Sequence, residues 1–447
     1  MAKPRPLLIK SAFMLYRLIK FLSQIITGIV LPKVLLSLFM IGYFVTCALA
    51  QQKVIQADIM VKDFYSRLHQ PIFWFSSAEN INKASEWLKQ IELADNLGIE
   101  TDKSTCIQIR AKLLIINAKD ISLKDSLDQQ ITGIVLNFLK VLQQGTIKFE
   151  YDEVSAPRDS VYINQLINFK SKESVSLIVS GLESKDHDYQ VLKKYLNDSI
   201  GSLNELKHKE IVLAMNYRRY FTVNHQPDYI VVNIPATEAK YYRNDQLKLS
   251  MRTVVGTKKH PTPTIASYIT NIVTFPHWNV PRSIAVKELL PKVQKNENYL
   301  EQNNYDVVNS KGKVVDDSDL DWKKYNENNF PYYFRQSTGS RNALGVLKFN
   351  LQNPFSIFLH STSWIGVFAK DYRFLSHGCI RLQKPLDLAK LLLTDKIDIK
   401  QLKGGKKNTE SKTIKLPHKL PVFIIYMPVK IVESKVIFLK DQYDLIQ

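Results

Sequence analysis

Apolar residues recur at helical spacing in the first half of the chain. Val61, Phe64, Tyr65 and Leu68 follow the i, i+3, i+4, i+7 rule that places side chains on one helix face. Two further stripes share this spacing: Ile81, Ala84, Leu88 and Ile91, and then Ile131, Val135, Phe138, Leu139 and Leu142. The pattern predicts an all-helical support domain over residues 51–208, in which no set of reactive side chains stands out.

The pattern changes to short, β-branched runs after about residue 209. Six runs predict strands: Tyr229–Ile234, Leu247–Val255, Ile265–Phe275, Val346–Phe349, Phe355–His360 and Pro421–Tyr426. Two helices are expected among them, at Val286–Gln294 and Pro385–Leu393. The series predicts a mainly antiparallel β domain over residues 209–430, followed by a C-terminal tail over 431–447. The fold class is therefore α+β.

Two polar segments interrupt the second domain. Residues 296–335 are dominated by Asn, Asp, Lys and Tyr and are too long for a simple loop. We expect a capping subdomain that acts as a lid, and the alternative is a solvated excursion without function. The Lys-rich stretch Lys400–Lys415 is expected to be an exposed loop.

The first 50 residues have the features of an export signal. They carry six basic residues and no acidic one, and the apolar run Val34–Ala50 ends in Ala48-Leu49-Ala50, which fits a cleavage site. We expect residues 1–50 to be a signal peptide, and the alternative is an uncleaved anchor in the inner membrane. Either form would place the rest of the chain in the periplasm or cell envelope.

Charge and composition restrict the partners. The 447-residue chain has a net charge of +19, but its lysines are spread out rather than gathered in Arg-rich or aromatic-interleaved runs. This argues against nucleic acid and favours an anionic surface or a cell-wall polymer. We expect no cofactor.

The strongest chemical signal is the segment Ser376-His377-Gly378-Cys379-Ile380-Arg381-Leu382. Cys379 is the candidate nucleophile, and a cysteine needs a base to form its thiolate and N–H groups to hold an oxyanion. His377 and His360 are both candidate bases, and the sequence does not choose between them. Gly378 lets the backbone approach a substrate closely, and Arg381 offers a fork for a carboxylate.

Two alternatives compete with a nucleophilic cysteine. Cys379 could pair with Cys106 in a structural disulfide, because a mature exported chain would keep only these two cysteines. His360, His377 and Cys379 could instead ligate a catalytic zinc ion, although the sequence contains neither HExxH nor CxxC.

The cysteine segment, with a histidine 19 residues upstream, resembles the signature of the L,D-transpeptidase (YkuD-type) family. Three further segments resemble the larger YcbB-like branch of that family: Tyr229–Pro235, Phe275–Ile284 and Arg335–Phe349. The helical region around Phe64, Tyr65 and Trp74 is similar to the scaffold domain of this branch. The resemblance covers most of the chain after residue 50 and makes 296–335 the capping subdomain.

The resemblance implies an exported enzyme that forms 3→3 cross-links between peptidoglycan stem peptides. Cys379 would be acylated by the third residue of a stem peptide, and His360 would act as general base and acid. Neighbouring groups would take the supporting roles: the Ser361 carbonyl to orient His360; Ser376, His377, Gly378 and the Cys379 N–H to line the oxyanion region; Arg381 to contact a carboxylate; and Trp278 to wall the cleft.

Two positions near the chemistry depart from the branch. Ser361-Thr362-Ser363 stands where Asp-Thr-Pro is usual, and Phe358 stands where some members carry a tyrosine. These departures bear on rate and substrate preference more than on reaction class. The alternative functions are an L,D-carboxypeptidase, another cell-wall cysteine peptidase, and a wall-binding scaffold with weak catalysis.

Overall fold

The computed structural model describes residues 59–446, except 117–119, 155–156, 170–172, 200, 225–226, 245, 297, 319, 340, 394–401 and 403–408. The expected signal peptide or anchor over residues 1–50 lies outside the described residues. No helix in the described ranges is both long enough and apolar enough to cross a bilayer.

The N-terminal domain is helical, as predicted, except that residues Tyr151–Asp152 form a short strand that pairs with the second domain. Its helices are α1 (59–68), α2 (Ala78–Glu92), α3 (Lys103–Ile115), α4 (Ile121–Gln144), α5 (Ser160–Ile167), α6 (Val175–Leu182), α7 (His187–Asp198) and α8 (Glu205–Val223). Ser77 caps α2 by accepting the N–H of Asn80, which satisfies one of the free donors at the helix start. The stripes predicted from the sequence turn inward, because Leu88 and Val135 are fully buried in one shared core.

The second domain is built on strands, with α12 (Pro385–Leu393) packed beside them. The strands are β1 (Tyr151–Asp152), β2 (Asp228–Asn233), β3 (Glu238–Arg243), β4 (Gln246–Gly256), β5 (Ile265–Thr274), β6 (Trp278–Asn279), β7 (Tyr305–Val308), β8 (Val314–Val315), β9 (Tyr333–Gln336), β10 (Leu347–Leu351), β11 (Leu359–His360), β12 (Phe374–Ser376), β13 (Ile380–Leu382), β14 (Lys412–Ile425), β15 (Val429–Val432) and β16 (Lys435–Phe438).

The large sheet closes on itself. Hydrogen bonding runs in the order β5-β10-β11-β13-β4-β3-β2-β14, and β14 also pairs with β5. Four pairs are parallel, namely β1–β5, β11–β13, β4–β12 and β2–β14, and the other pairs of this sheet are antiparallel. The predicted mainly antiparallel β domain is thus confirmed, and closure removes the free edges that an open sheet would expose.

Side-chain alternation divides the sheet into an inner and an outer surface. In β14, Val422 and Ile424 join the inner core, which α12 shares through Leu388. Phe423, between them in sequence, points outward and packs in the core around α7 and α8. The helical domain therefore covers the outer surface at β2 and β14, while β10, β11 and β13 lie elsewhere around the ring.

A small subdomain with its own core follows β5. It contains the sheet β6-β9-β7-β8 and the helices α9 (Arg282–Ile284), α10 (Leu290–Lys295) and α11 (Tyr299–Gln302), with a π-helical turn at Ala285–Leu289 between α9 and α10. Its core runs from Val280 to Phe334 and includes the buried Trp322. Residues before 296 thus contribute to the same unit as the polar segment 296–335, and a lid function for that segment stays a prediction.

One strand prediction and one loop prediction need correction. Only Leu359–His360 of the predicted strand Phe355–His360 is paired, because Ser356 has a φ of +57° and Asn353 Oδ1 accepts the N–H groups of Phe355 and Ile357 in a tight turn. The Lys-rich stretch is also not a loop to its end. From Lys412 onward it is the start of β14, because β5 offers a paired edge there.

Candidate active site

Strand register brings three basic side chains into one row on the outer surface of the barrel. Lys348 of β10 pairs with His360 of β11, and His360 pairs in turn with Arg381 of β13. Neighbouring strands lie about 4.8 Å apart, so paired residues are direct side-chain neighbours. The row places His360 between two cations.

Cys379 stands immediately before β13 and next to this row. The N–H of Ile380 donates to the carbonyl of Phe358 at 3.1 Å, which fixes the cysteine beside the strand that ends in His360. The thiol is half-buried, and its Sγ lies 3.7 Å from the carbonyl oxygen of Ser356. Burial raises the pKa of Cys379 to about 11, and this rise is opposed by a hydrogen bond from the Phe358 backbone and then by the charges of Lys348 and Arg381.

His360 is held in the tautomer that a base requires. Its Nδ1 lies 2.5 Å from the carbonyl oxygen of Ser361. A carbonyl can only accept, so Nδ1 carries the proton and Nε2 keeps its lone pair. The side chain is only 4% exposed. Burial lowers the pKa of His360 to about 3, and the charges of Arg381 and Lys348 add to the effect, so the imidazole is neutral at pH 7.

The other histidine of the motif faces a different partner. His377 is exposed, and its Nε2 lies 2.6 Å from Oε1 of Glu288, in the π-helical turn of the small subdomain. Its ring also stacks on that of His260 at 5.0 Å between centroids. The Glu288 contact joins the cysteine motif to the small subdomain, at a residue before the predicted lid 296–335, and favours His360 over His377 as the base.

Gly378 adopts a backbone conformation that other residues rarely reach. Its φ is +109°, and a Cβ built there would come within 3.1 Å of Ile357 Cδ1. Its N–H donates to Ser376 Oγ at 3.1 Å, and its carbonyl accepts from Thr262 Oγ1 at 2.8 Å. The peptide before Cys379 is thus fixed from both sides, which preorganises the backbone around the thiol.

Thr262 and Tyr443 support the site but were missed from the sequence. Thr262 Oγ1 also accepts the N–H of Gly256 at 2.8 Å, which ties β4 to the cysteine motif. The hydroxyl of Tyr443 donates to the carbonyl of Gly256 at 2.6 Å and accepts the N–H of Thr262 at 3.3 Å. The only sequence signal was the Pro261-Thr262-Pro263-Thr264 turn, and Tyr443 lies 64 residues beyond Cys379 in the chain.

Ser361 turns its side chain away from the thiol and into the protein. Its Oγ accepts the N–H of Leu347 and donates to the carbonyl of Leu344, both at 2.9 Å. Gly345 sits against it with a φ of +62°, and a Cβ there would lie 2.3 Å from the Ser361 Oγ. The departure at Ser361 thus supplies a buried anchor for the carbonyl that orients His360.

The Ser361→Ala variant should lose stability. It leaves the buried Leu347 N–H without its hydroxyl partner, which costs about 1–3 kcal/mol of the free energy of unfolding. Urea denaturation measures the loss, and Ser363→Ala, which removes an exposed hydroxyl two residues later, is the matched control. Equal stability of both variants would show that this bond does not anchor the loop.

The remaining predicted residues lie in two places. Arg381 is half-buried in β13, and burial lowers the pKa of its guanidinium. Trp278 lies in the small sheet, where its ring packs against Tyr305 at 6.3 Å between centroids. A carboxylate contact for Arg381 and a cleft-wall role for Trp278 stay predictions.

Neither the disulfide nor the zinc alternative for Cys379 finds the side chains that it needs among the described residues. Cys106 is buried in α3 of the helical domain, and both cysteines are free thiols, so they form no disulfide. Within the described ranges, no three His, Cys, Asp or Glu side chains are grouped to hold a metal ion.

Two domain families match the chain. The L,D-transpeptidase catalytic domain (YkuD) matches residues 227–409, and the Scaffold domain matches residues 60–196. These matches coincide with the β domain that carries the cysteine motif and with the helical domain. They identify a Scaffold domain and an L,D-transpeptidase catalytic domain in this chain.

One curated relative matches about two thirds of the chain. A Haemophilus influenzae protein named "Putative L,D-transpeptidase" is 33% identical over 297 residues, which are 66% of this chain and 58% of the relative. The chain thus spans less than two thirds of that relative. With both domain matches, the predicted resemblance is confirmed: the chain carries an L,D-transpeptidase (YkuD) catalytic domain preceded by a Scaffold domain.

Solved structures are more distant. The catalytic domain of the Enterococcus faecium L,D-transpeptidase is 15% identical, with a TM-score of 0.22, and the match covers 45% of this chain and 99% of that one. The Mycobacterium smegmatis L,D-transpeptidase is 14% identical, also with a TM-score of 0.22, over 44% of this chain and 58% of the other. Likeness at this level carries no argument about the site.

Proposed function

We propose that this protein is an exported L,D-transpeptidase that forms 3→3 cross-links in peptidoglycan through a Cys379 acyl-enzyme. The observation that carries the proposal is the His360 Nδ1 contact with the Ser361 carbonyl, which leaves Nε2 as a base on the row next to Cys379. The family match supports the reaction class. Stem peptides are the proposed substrates, and an N-terminal segment would bring the enzyme to the periplasm.

The first half-reaction would release the terminal D-residue of a donor stem. The Cys379 thiol gives its proton to His360 Nε2 as the sulfur attacks the carbonyl carbon of the third residue. The backbone N–H of Cys379 would help to hold the resulting oxyanion. The N–H of Gly378 is not free for this role, because it donates to Ser376 Oγ. When the intermediate collapses, the amine of the terminal residue leaves with the proton from His360, and a thioester remains on Cys379.

The second half-reaction would transfer the acyl group to an amine. The side-chain amine of the third residue of an acceptor stem attacks the thioester and gives a proton to His360. Cys379 leaves as thiolate and recovers this proton. Because the imidazolium lies between Lys348 and Arg381, it is a strong acid, which suits rapid return of the proton to the departing group.

Intact-mass spectrometry with a tetrapeptide stem tests this proposal. We expect an adduct equal to the stem minus its terminal residue, and a cross-linked dimer when a second stem is added. Release of tripeptide alone would favour the L,D-carboxypeptidase. Binding to isolated cell wall with neither adduct nor product, even with a carbapenem as an acylating probe, would overturn the proposal in favour of the scaffold.

A further inference from the structure

Lys348 is a cation whose position the family motif does not explain. Lys348 lies on β10 and pairs with His360 of β11, and its Nζ lies 4.1 Å from the centre of the Phe358 ring. A cation over an aromatic face is attracted by the ring, so this contact gives the flexible side chain a preferred place. Phe358 is the residue whose carbonyl accepts the N–H that follows Cys379. The ammonium is therefore held above the direct neighbour of the thiol.

The charges around Cys379 are unbalanced in one direction. Lys348 and Arg381 face it from β10 and β13, while His360 between them is neutral. On the side of the small subdomain, His377 is engaged with Glu288. An imidazolium placed between two cations is costly, so His360 is poorly suited to stabilise a thiolate as an ion pair. The positive charge that compensates the Cys379 thiolate must therefore come from Lys348 or Arg381, on either side of His360.

We propose that the ammonium of Lys348, held on the Phe358 ring, stabilises the thiolate of Cys379. Burial of Lys348 disfavours its charge, and the nearby Cys379 thiolate favours it, which agrees with an interaction between the two groups. The inference rests on the proposed function only in taking Cys379 as the reacting thiol. His360 then moves the proton, and Lys348 holds the negative charge that the proton leaves behind.

Alkylation of Cys379 in the full-length protein tests the inference directly. The thiolate displaces iodide from iodoacetamide and forms a thioether, so the rate follows the thiolate fraction. Removing one neighbouring cation raises a thiol pKa by about one unit, so Lys348→Met should react roughly tenfold more slowly at pH 7. Peptide mapping confines the measurement to Cys379, and Lys348→Arg should restore most of the rate.

Two comparisons separate charge from fold. Lys415→Met removes a lysine from β14, which lies two strands from β10 across β5, and should leave the rate unchanged. Lys348→Met should slow the alkylation of Cys379 by negatively charged iodoacetate more than its alkylation by neutral iodoacetamide. Only iodoacetate is attracted by the ammonium that the substitution removes. If Lys348→Met does not fold, Phe358→Leu removes the aromatic ring that holds the ammonium. This variant should also lower the alkylation rate of Cys379.

The outcomes distinguish this inference from the proposed function. An unchanged alkylation rate of Cys379 in folded Lys348→Met would overturn the inference even if the protein makes cross-links. So would an equal loss of rate in Lys415→Met. An alkylation rate that falls in Lys348→Met, in a protein that makes no cross-links, would support the inference and count against the transpeptidase.

Discussion

Replacing Cys379 with alanine should abolish both the acyl-enzyme adduct and the cross-linked product. Loss of a nucleophile typically costs on the order of 10⁴-fold or more in rate, because the remaining groups only bind and polarise the substrate. The thiol is half-buried at the edge of the barrel core, so losing one sulfur should leave the fold intact. Intact mass and product chromatography with a tetrapeptide stem check both expectations.

Cys106→Ala is the matched control for this prediction. Cys106 is buried in α3, within the helical core, and the same chemical change there should leave the adduct and the turnover near wild type. If the Cys379→Ala variant still forms cross-links, the nucleophile lies elsewhere. If both variants lose activity equally, the loss reflects stability rather than chemistry.

Local patterns predicted elements of the framework around the site. The strand Ile265–Phe275 appears as Ile265–Thr274, and the helix Pro385–Leu393 has the predicted bounds. Both are read from residues next to one another in sequence, where alternation or helical spacing is a local property. The cysteine segment and His360 could also be proposed from the sequence, because their residue types are rare and their spacing is recognisable.

Contacts that depend on strand register could not be predicted from the sequence. Lys348 reads as one more surface lysine in sequence, and only the pairing of β10 with β11 puts it beside His360. Tyr443 reads as part of a C-terminal tail, yet its hydroxyl braces the turn at Thr262. A one-residue change in register would move every such side chain to the other surface, and local propensity does not encode that choice.

The Asn-rich polar segment shows a second kind of limit. Its strands are short, and β8 contains only Val314–Val315 between polar turns, so no alternation is long enough to read. Its core depends on a few large residues, Trp322, Phe330 and Phe334, that are far apart relative to the turns between them. Composition could indicate an insertion but not the sheet inside it.

The two histidines should differ sharply when each is replaced. His360→Gln removes the group that moves the proton and should lower turnover by roughly 10²- to 10⁴-fold. His377→Gln keeps an amide that can bond to Glu288, so its loss should be much smaller. Steady-state rates with a tetrapeptide stem decide between them. A larger loss in His377→Gln would reverse the assignment of the base.

His360 should also make the protein sensitive to acid. Its pKa is about 3 in the folded protein against an ordinary value of 6.5, so the unfolded chain binds the proton more tightly. The resulting stability is fully present above about pH 6.5 and is lost as the pH falls toward 3. Between pH 7 and pH 4 this group should account for on the order of 3 kcal/mol of the free energy of unfolding.

His360→Gln isolates that contribution, because glutamine does not titrate. Urea denaturation at pH 7 and pH 4 should therefore show a smaller acid loss in the variant than in the wild type, whereas His377→Gln should retain the full loss. An equal acid loss in wild type and His360→Gln would mean that the imidazole is not held neutral by its burial. The strong-acid character proposed for its protonated form would then fail with it, since both follow from the same buried position between Arg381 and Lys348.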